Sequence, residues 1–160
     1  MAAVEAVRAA DTGDLDDVVR LVRECISGLR SQRGGTLVLA ERQVLLEQLS
    51  SADDFDRLRA DPDRLVLVGT LDGVVTGGAV GHVEPLGGRL LGCLDGYYVE
   101  LGARGIGLGT LLVEAAVEWF RGRGCMGVDS TALPGDRGAK SLFEVSGFKA
   151  RELTMFLPLT

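Results

Sequence analysis

The stretch that decides the fold is "ARGIGLGTLLVEAAVEWF", Ala103 to Phe120, in which an arginine and three glycines lead directly into an apolar, helix-forming segment. Glycine permits close backbone approach and positive φ, but it costs chain entropy. Three glycines in five residues before a helix therefore indicate a loop whose backbone comes close to a ligand. Because the first amides of a helix are unpaired and carry the positive end of its dipole, a pyrophosphate is the expected ligand.

The spacing of these glycines excludes two common pyrophosphate motifs. Gly105, Gly107 and Gly109 form G-x-G-x-G, which differs from the G-x-G-x-x-G of dinucleotide folds. No Gly-Lys-Ser/Thr closes the loop, so the Walker spacing is absent as well. Taken alone, the loop leaves open a glycine-rich turn with only a packing role.

Length and composition predict one domain over residues 1–160, since 46% of the 160 residues are hydrophobic and 25% are charged. The net charge of −6 argues against duplex nucleic acid as a partner. Residues 1–63 carry a net −5, which favours either a cationic partner or merely solvated acidic helix faces. No apolar run is long enough for a membrane span and the first residues lack a secretory pattern, so we expect a cytoplasmic protein.

The cysteines and the single histidine predict no metal site. Cys25, Cys93 and Cys125 are far apart among apolar neighbours, as is typical of reduced thiols rather than disulfides or zinc ligands. We predict that Cys93 and Cys125 lie inside strands without a neighbouring histidine. A covalent, ping-pong route through a thiol is therefore not expected.

The first third of the chain predicts a strand followed by two helices. "VEAVRAA" alternates as a short strand does, and "DTGDLDDVVRLVREC" follows as a helix with Asp11 or Thr12 as its cap. A second helix is centred on residues 44–49. We expect the acidic segment after it, "SSADDFDRLRADPD", to be irregular and mobile.

The middle of the chain predicts three antiparallel strands in succession. In "RLVLVGTLDGVVTGGAVGHVEP" two β-branched runs meet at Asp72-Gly73, the pair that suits a two-residue type I′ turn. A second turn at "PLGG" leads into "RLLGCLDGYYVE", the fourth strand of the chain.

The last third predicts two helices and two strands. From Thr110 the apolar residues repeat with a helical period, and "CMGVDSTAL" follows as a strand. "PGDRGAKSLFEVSGF" is a helix with Asp136 as its cap and Gly147 as its stop, and "KARELTMFLPL" supplies a last strand. The predicted order is β-α-α-β-β-β-α-β-α-β, a mixed α/β sheet.

Two motifs and this order resemble the GNAT superfamily of N-acetyltransferases. Arg104, Gly107 and Gly109 match the acyl-CoA loop of that family, Q/R-x-x-G-x-G/A. A second family pattern, N-x-x-A-x-x-L/F-Y-x-x-x-G-F, is similar to the segment from Asp136 to Phe148, with every interval kept. The resemblance covers nearly the whole chain and is weakest over residues 27–63.

The resemblance implies a GNAT-like, mostly antiparallel central sheet flanked by helices, with acetyl-CoA as cosubstrate in a cleft between the fourth and fifth strands. Backbone groups of the fourth strand would pair with the pantetheine arm, and amides of the glycine loop would hold the pyrophosphate. The residues that it places around CoA are Tyr97, Tyr98, Val99, Arg104, Gly105, Ile106, Gly107, Leu108, Gly109, Thr110, Asp136, Ala139 and Phe143.

The chain departs from the family pattern at two positions. Phe143 stands where the family has its tyrosine acid, and phenylalanine cannot donate a proton. Either CoA leaves unaided or through water, or Tyr97 or Tyr98 supplies the proton, or the protein binds acyl-CoA without turnover. Asp136 replaces an asparagine, which keeps a helix cap but loses the amide donor.

Candidate bases come from the third and fourth strands. Asp95 lies among apolar neighbours in "GCLDGYY", where partial burial would raise its pKa toward a useful range, and Glu84 ends the third strand. A backbone amide near Tyr97 is the best candidate donor to the oxyanion.

Three hypotheses for function remain open at this point: a direct N-acetyltransferase acting on a small-molecule or protein amine, an acyl-CoA sensor without turnover, and another nucleotide-binding domain. In the family, the acceptor side is built largely from the segment between the first two helices, so "LRSQRGGT" and "SSADDFDRLR" are expected to line it. The apolar end "LTMFLPLT" would leave an exposed strand edge and makes a homodimer plausible.

Overall fold

A computed structural model describes all residues from Met1 to Thr160. Its strands and α-helices are, in chain order, β1 (Glu5–Ala9), α1 (Leu15–Arg30), α2 (Gly35–Glu41), α3 (Gln43–Gln48), α4 (Ala52–Ala60), β2 (Arg64–Leu71), β3 (Val74–Leu86), β4 (Arg89–Val99), α5 (Leu108–Gly122), β5 (Val128–Ser130) and α6 (Arg137–Val145). Short 3₁₀ turns at Thr12–Asp14 and Leu101–Ala103 precede α1 and α5. None of the helices combines the length and the apolar character that crossing a bilayer requires.

The strands form a single sheet in the order β1-β2-β3-β4-β5. The first four are antiparallel, and β5 pairs parallel to β4. Asp72 and Gly73 both have positive φ, 49° and 82°, as the predicted type I′ turn requires. Gly87 and Gly88, at 58° and 76°, close the β3–β4 turn. The predicted meander and the mixed α/β fold class are confirmed.

Helices cover both faces of this sheet. α5 and α6 pack on one face, and α1, α3 and α4 pack on the other, each group over its own apolar cluster. The row Leu112, Ala116 and Phe120 of α5 is fully buried, as the helical period predicted. The Phe120 ring lies on Gly81 and Gly92, where a Cβ would come within 2.8 and 2.6 Å of it. Burial of each large apolar side chain contributes roughly 1.5–3 kcal/mol, so the sheet firmly anchors the helix that follows the glycine loop.

Asp11 caps the start of the first helical region, as predicted. Its side chain accepts a hydrogen bond from the Gly13 amide, and Asp14 accepts one from the Asp11 amide, both at 2.8 Å. Arg8 of β1 donates to both oxygens of buried Asp14, at 2.7 and 2.9 Å. These hydrogen bonds lower the pKa of Asp14 below its ordinary value. The cap therefore also joins β1 to α1.

The expectation that the acidic segment is irregular is wrong, because residues 52–60 form helix α4. Its acids begin the helix and its arginines end it, which complements the helix dipole. Asp54 pairs with Arg57 at 3.1 Å, and Asp56 pairs with Arg59 at 3.2 Å. Phe55 and Leu58 bury the inner face of α4 against the sheet. Charged residues dominate this segment, so its sequence did not indicate that Phe55 and Leu58 form a buried face.

The predicted last strand in "KARELTMFLPL" does not form, so the chain ends without the final β of the predicted order. Its nearest partner, β5, has only three residues and offers a short ladder. Arg151 instead donates to both carboxylate oxygens of Asp129 on β5. The apolar side chains beyond it are exposed, namely Leu153, Met155, Phe156, Leu157 and Leu159.

Candidate active site

The glycine loop leaves six consecutive backbone amides without an internal partner. No amide from Gly105 to Thr110 donates to a backbone carbonyl, and the first α5 amide that does so is that of Leu111, to Gly107. No side chain caps the helix, whose N-cap is Gly107. The amides therefore remain available at the positive end of the α5 dipole, as an anion site requires.

Positive φ at two glycines produces this arrangement. Gly105 has φ of 81° and Gly107 has φ of 97°, a region in which residues with a Cβ are strained. Arg104 turns back instead of projecting outward: its Nε donates to the Val99 carbonyl at 2.8 Å, and its guanidinium lies 5.4 Å from the Tyr98 ring centre. Arg104 thus fixes the loop to the end of β4 and adds positive charge beside the amides.

A cleft opens in the sheet next to this loop. The parallel pairing of β4 with β5 ends at Leu94 and Ser130. At the same point β4 has a bulge, because Val80 pairs with Gly96 but Gly81 pairs with Leu94, which leaves Asp95 as the extra residue. Beyond the bulge β4 and the chain that follows β5 diverge, as predicted, around a cavity of about 1060 Å³.

The diverging part of β4 presents unpaired backbone groups to this cavity. The Glu100 amide donates to Thr76 on β3. Because backbone groups alternate along a strand, those of Tyr98 also point toward β3, while those of Tyr97 and Val99 point toward the gap. The Val99 carbonyl is already bonded to Arg104. The amides of Tyr97 and Val99 and the carbonyl of Tyr97 remain without an opposing strand.

Most of the residues predicted to contact CoA line this cavity. They are Tyr97, Tyr98, Val99, Arg104, Gly105, Leu108, Gly109, Asp136 and Ala139. Ile106, Gly107, Thr110 and Phe143 are not among the lining residues. The structure thus brings β4, the loop and the start of α6 to one cleft, with Leu142 rather than Phe143 as the apolar wall from α6.

The two candidate bases are separated by the structure. Asp95 lines the cavity, and its side chain is only 7% exposed. Glu84 does not line the cavity, and its side chain is 47% exposed. His82, which sequence reasoning did not select, joins them: its Nδ1 lies 2.7 Å from Asp95 and its Nε2 lies 3.3 Å from Glu84. Asp95 therefore lines the cavity with a nearly buried carboxylate, one oxygen of which contacts Nδ1 of His82.

The two tyrosines of β4 point to opposite faces of the sheet. Tyr97 packs edge-on against Phe143, with ring centres 5.7 Å apart, and burial raises its pKa to about 12. Tyr98 lies on the α1 face, where its hydroxyl donates to Glu24 at 3.3 Å. Burial and the nearby Glu24 raise the pKa of Tyr98 as well. Tyr97, not Tyr98, is thus the tyrosine next to the position where the family pattern has its acid.

Asp136 caps α6 as predicted, accepting a hydrogen bond from the Ala139 amide at 2.9 Å. The Asp136→Ala variant should lower the free energy of unfolding by about 1 kcal/mol, because the helix loses its cap. Urea denaturation of the two proteins measures the difference. Asp136→Asn is the matched control, since asparagine also caps helices. An Asn variant as unstable as the Ala variant would contradict the capping role.

The far wall of the cavity comes from α1, α2 and α3. Gln32 from "LRSQRGGT" lines it as expected, but no residue of "SSADDFDRLR" does, so Asp53, Asp54 and Asp56 lie outside the cavity. The charged lining residues are the carboxylates of Glu24, Glu41, Asp95, Glu100 and Asp136 and the guanidinium groups of Arg42 and Arg104. The cavity therefore carries a net negative charge. Arg20 of α1 forms ion pairs with two of these carboxylates, Glu24 and Glu100.

The prediction that Cys93 and Cys125 lie in strands without a neighbouring histidine is wrong in two respects. His82 is the direct cross-strand partner of Cys93, and Cys125 lies in the connection between α5 and β5. Burial and the neighbouring carboxylates raise the pKa of Cys93 to about 12, so its thiol is protonated at neutral pH. Cys25 lines the cavity, and burial raises its pKa also. Neither thiol is activated as a nucleophile.

Sequence reasoning missed His82 and Glu24 as residues around the site. His82 and Glu84 are two positions apart in a strand, so the alternation of side chains predicts that both lie on the same face of the sheet. Their contact with Cys93 and Asp95 depends on the register of β3 and β4 and on the bulge. Glu24 meets Tyr98 across 74 residues of sequence, for which no local pattern exists.

A family model and several solved structures are similar to this chain. Residues 33–148 match the sequence model of the acetyltransferase (GNAT) family. No curated protein matches the chain. Among solved structures, a transcriptional regulator from Bacillus halodurans C-125 is similar at 22% identity, with a TM-score of 0.75 over 98% of this chain and 100% of that one.

Two aminoglycoside acetyltransferases are similar as well. AAC(6')-Iy, solved in complex with CoA, has a TM-score of 0.74 at 16% identity, covering 99% of this chain and 96% of its own. The enzyme meta-AAC0020 from an uncultured soil metagenomic sample, solved with sisomicin, has a TM-score of 0.71 at 16% identity over 98% and 95%. At these identities the likeness establishes a shared fold.

Proposed function

Because the chain belongs to the GNAT family of acetyltransferases, we propose that it transfers the acetyl group of acetyl-CoA to a primary amine, which attacks directly in a ternary complex. The observation that carries this proposal is the row of six unpaired amides, Gly105 to Thr110, beside a gap in the sheet. Together these features suit the two parts of CoA, its diphosphate and its extended pantetheine arm.

We propose that the chain holds acetyl-CoA by its backbone. The amides of residues 105–110 would bind the diphosphate, with Arg104 beside them. The free groups of Tyr97 and Val99 would pair with the amides of the arm, as an added strand would. Small Ala139 leaves room for the arm between α6 and β4. The cosubstrate supplies an acetyl thioester, whose carbonyl is the centre that the amine attacks.

Asp95 is the proposed proton acceptor for the attacking amine. A lysine-like amine with a pKa of about 10.4 is neutral only to about one part in a few thousand at pH 7, a handicap of roughly 4–5 kcal/mol. Asp95, whose nearly buried carboxylate lines the cavity, is better placed to remove the proton of the ammonium group than the exposed Glu84. His82 holds the Asp95 side chain in place through its Nδ1.

The departing thiolate needs less help. A thiol with a pKa of roughly 8.5 leaves readily without an acid, by analogy with cysteine. Phe143 therefore does not prevent turnover in this proposal. If a protein acid takes part, Tyr97 replaces the weaker candidate Tyr98, because Tyr97 lies beside Phe143 while Tyr98 is bonded to Glu24.

The proposed acceptor is a small cationic amine. Five carboxylates and two guanidinium groups line the cavity, and this excess of negative charge would attract a cation. Two structurally similar proteins are aminoglycoside acetyltransferases, and aminoglycosides are cationic amines. A second candidate function, an acyl-CoA sensor without turnover, is favoured by one observation, the phenylalanine at the position of the family acid.

Thiol release from acetyl-CoA across a library of amines tests the proposal, with polyamines, aminoglycosides, amino acids and peptides in the library. We expect at least one cationic amine to raise the rate of CoA release well above the rate without amine. The N-acetylated form of that amine should not raise the rate. Calorimetric binding of acetyl-CoA with no release from any amine would favour the sensor. Absence of both binding and release would contradict both functions.

A further inference from the structure

Three potential metal ligands meet on the surface of the β3–β4 pair, outside the residues that line the cavity. His82 and Cys93 are direct cross-strand partners, and Glu84 follows His82 by two residues, so all three side chains share one face of the sheet. An imidazole nitrogen, the Cys93 sulfur and a Glu84 oxygen all lie within 4.8 Å of one another.

Asp95 orients the histidine in this group. Its Oδ2 lies 2.7 Å from Nδ1 of His82, and its side chain is almost fully buried. A neutral ring that donates Nδ1–H to Asp95 has its lone pair on Nε2, which faces Glu84 at 3.3 Å. A carboxylate behind a ligating histidine is the usual support of a zinc-bound imidazole.

One of the three separations matches a tetrahedral site, and the other two are at most 4.8 Å. Nitrogen and oxygen ligands at about 2.0–2.1 Å from a tetrahedral ion lie roughly 3.3 Å apart, and a sulfur ligand at about 2.3 Å lies roughly 3.5 Å from either. The His82–Glu84 distance already has this value. No two of the three ligand atoms are farther apart than 4.8 Å, and Glu84 is exposed, so side-chain rotations can bring the ligands around one ion.

The local charge also favours a cation. A bare Nε2 lone pair opposite a carboxylate oxygen is repulsive unless a proton or a metal ion lies between them. Carboxylates at Glu84, Asp95 and Asp129 surround Cys93. Their negative charge attracts a divalent cation, which on binding would replace the thiol proton.

We propose that His82, Glu84 and Cys93 form a binding site for a zinc-like divalent cation, with Asp95 as the carboxylate behind the histidine. Nitrogen and sulfur ligands select zinc over magnesium or calcium. Three protein ligands leave the fourth position to water. The site was not predicted because one histidine seemed too few, and only the strand register brings the three ligands together. The inference does not depend on the proposed transferase function, since the contacts exist whether or not an amine is acylated.

Calorimetry with zinc chloride, using tag-free protein first treated with a chelator, tests this site. We expect one zinc ion per chain and a loss of affinity of more than about tenfold in both His82→Ala and Cys93→Ser. Cys25→Ser and Cys125→Ser are matched controls and should bind zinc like the parent. Circular dichroism checks that each variant is folded.

Cobalt substitution provides a second readout, because a Cys93 thiolate bound to Co²⁺ gives a sulfur-to-metal charge-transfer band. The band should disappear in Cys93→Ser and persist in Cys25→Ser and Cys125→Ser. The single histidine also gives an unambiguous ring signal, and zinc should shift its Nε2 resonance. Absence of zinc binding by the parent, or equal affinity in all the cysteine variants, would overturn the proposal.

Discussion

Gly107→Val is expected to lower the affinity for acetyl-CoA by more than about 100-fold, while the fold persists. Gly107 has φ of 97°, where valine is strained, and its amide belongs to the row that we assign to the diphosphate. Displacing two charge-assisted hydrogen bonds, each contributing about 1.5–3 kcal/mol, accounts for a loss of this size. Isothermal calorimetry with acetyl-CoA measures it. Gly109→Val, which adds methyl groups where Leu142 is already 3.5 Å from a Cβ, should weaken binding as well.

Gly124→Val is the matched control for this variant. Gly124 also has positive φ, 75°, and nothing lies within 4 Å of a Cβ there. The residue follows the other end of α5, far from the loop amides. Valine should therefore cause a comparable backbone strain without a loss of affinity. Unchanged affinity in Gly107→Val, or an equal loss in Gly124→Val, would count against the assigned diphosphate site.

Asp95→Asn should reduce kcat/KM for the best acceptor amine by about 10²- to 10⁴-fold, the usual contribution of a general base. Asparagine keeps the shape of the side chain but does not accept the proton of the ammonium group. Affinity for acetyl-CoA should stay close to that of the parent, since the proposed CoA contacts are backbone groups further along β4. Steady-state thiol release with the acceptor found in the library gives the rate, and calorimetry gives the affinity.

Two comparisons make this result specific. Asp16→Asn removes an exposed carboxylate of α1 that does not line the cavity and should leave the rate near that of the parent. All assays contain a chelator, so that loss of a metal ion bound to His82 does not imitate the loss of a base. A full rate in Asp95→Asn, or a larger loss in Glu84→Gln, would contradict the assignment of Asp95 and move the base to Glu84.

Local signals were sufficient for much of this fold. The Asp72-Gly73 turn, the apolar rows of α5 and the caps at Asp11 and Asp136 each depend on a few neighbouring residues, and the structure contains all of them. The glycine loop was predictable for the same reason, since its spacing and the helix that follows are contiguous in sequence. The family pattern added the position of the second motif.

Features that depend on distant partners were not predictable. Helix α4 is stabilised by Phe55 and Leu58 against the sheet, which a count of its charges does not reveal. The predicted last strand does not form, and β5, the neighbouring edge of the sheet, has only three residues, which the sequence of the last segment does not reveal. His82 meets Asp95 and Cys93 only through the β3–β4 register and the bulge at Asp95, so this cluster has no local signature.

The central claim is that the amides from Gly105 to Thr110 converge on one diphosphate. Amide ¹H–¹⁵N spectra recorded during titration with CoA, and separately with pantetheine, which lacks the diphosphate, test it directly. We predict that CoA shifts the resonances of residues 105–110 and that pantetheine leaves them in place while it shifts those of Tyr97 and Val99. CoA-induced shifts that spare the loop amides, or loop shifts of equal size with pantetheine, would contradict the account.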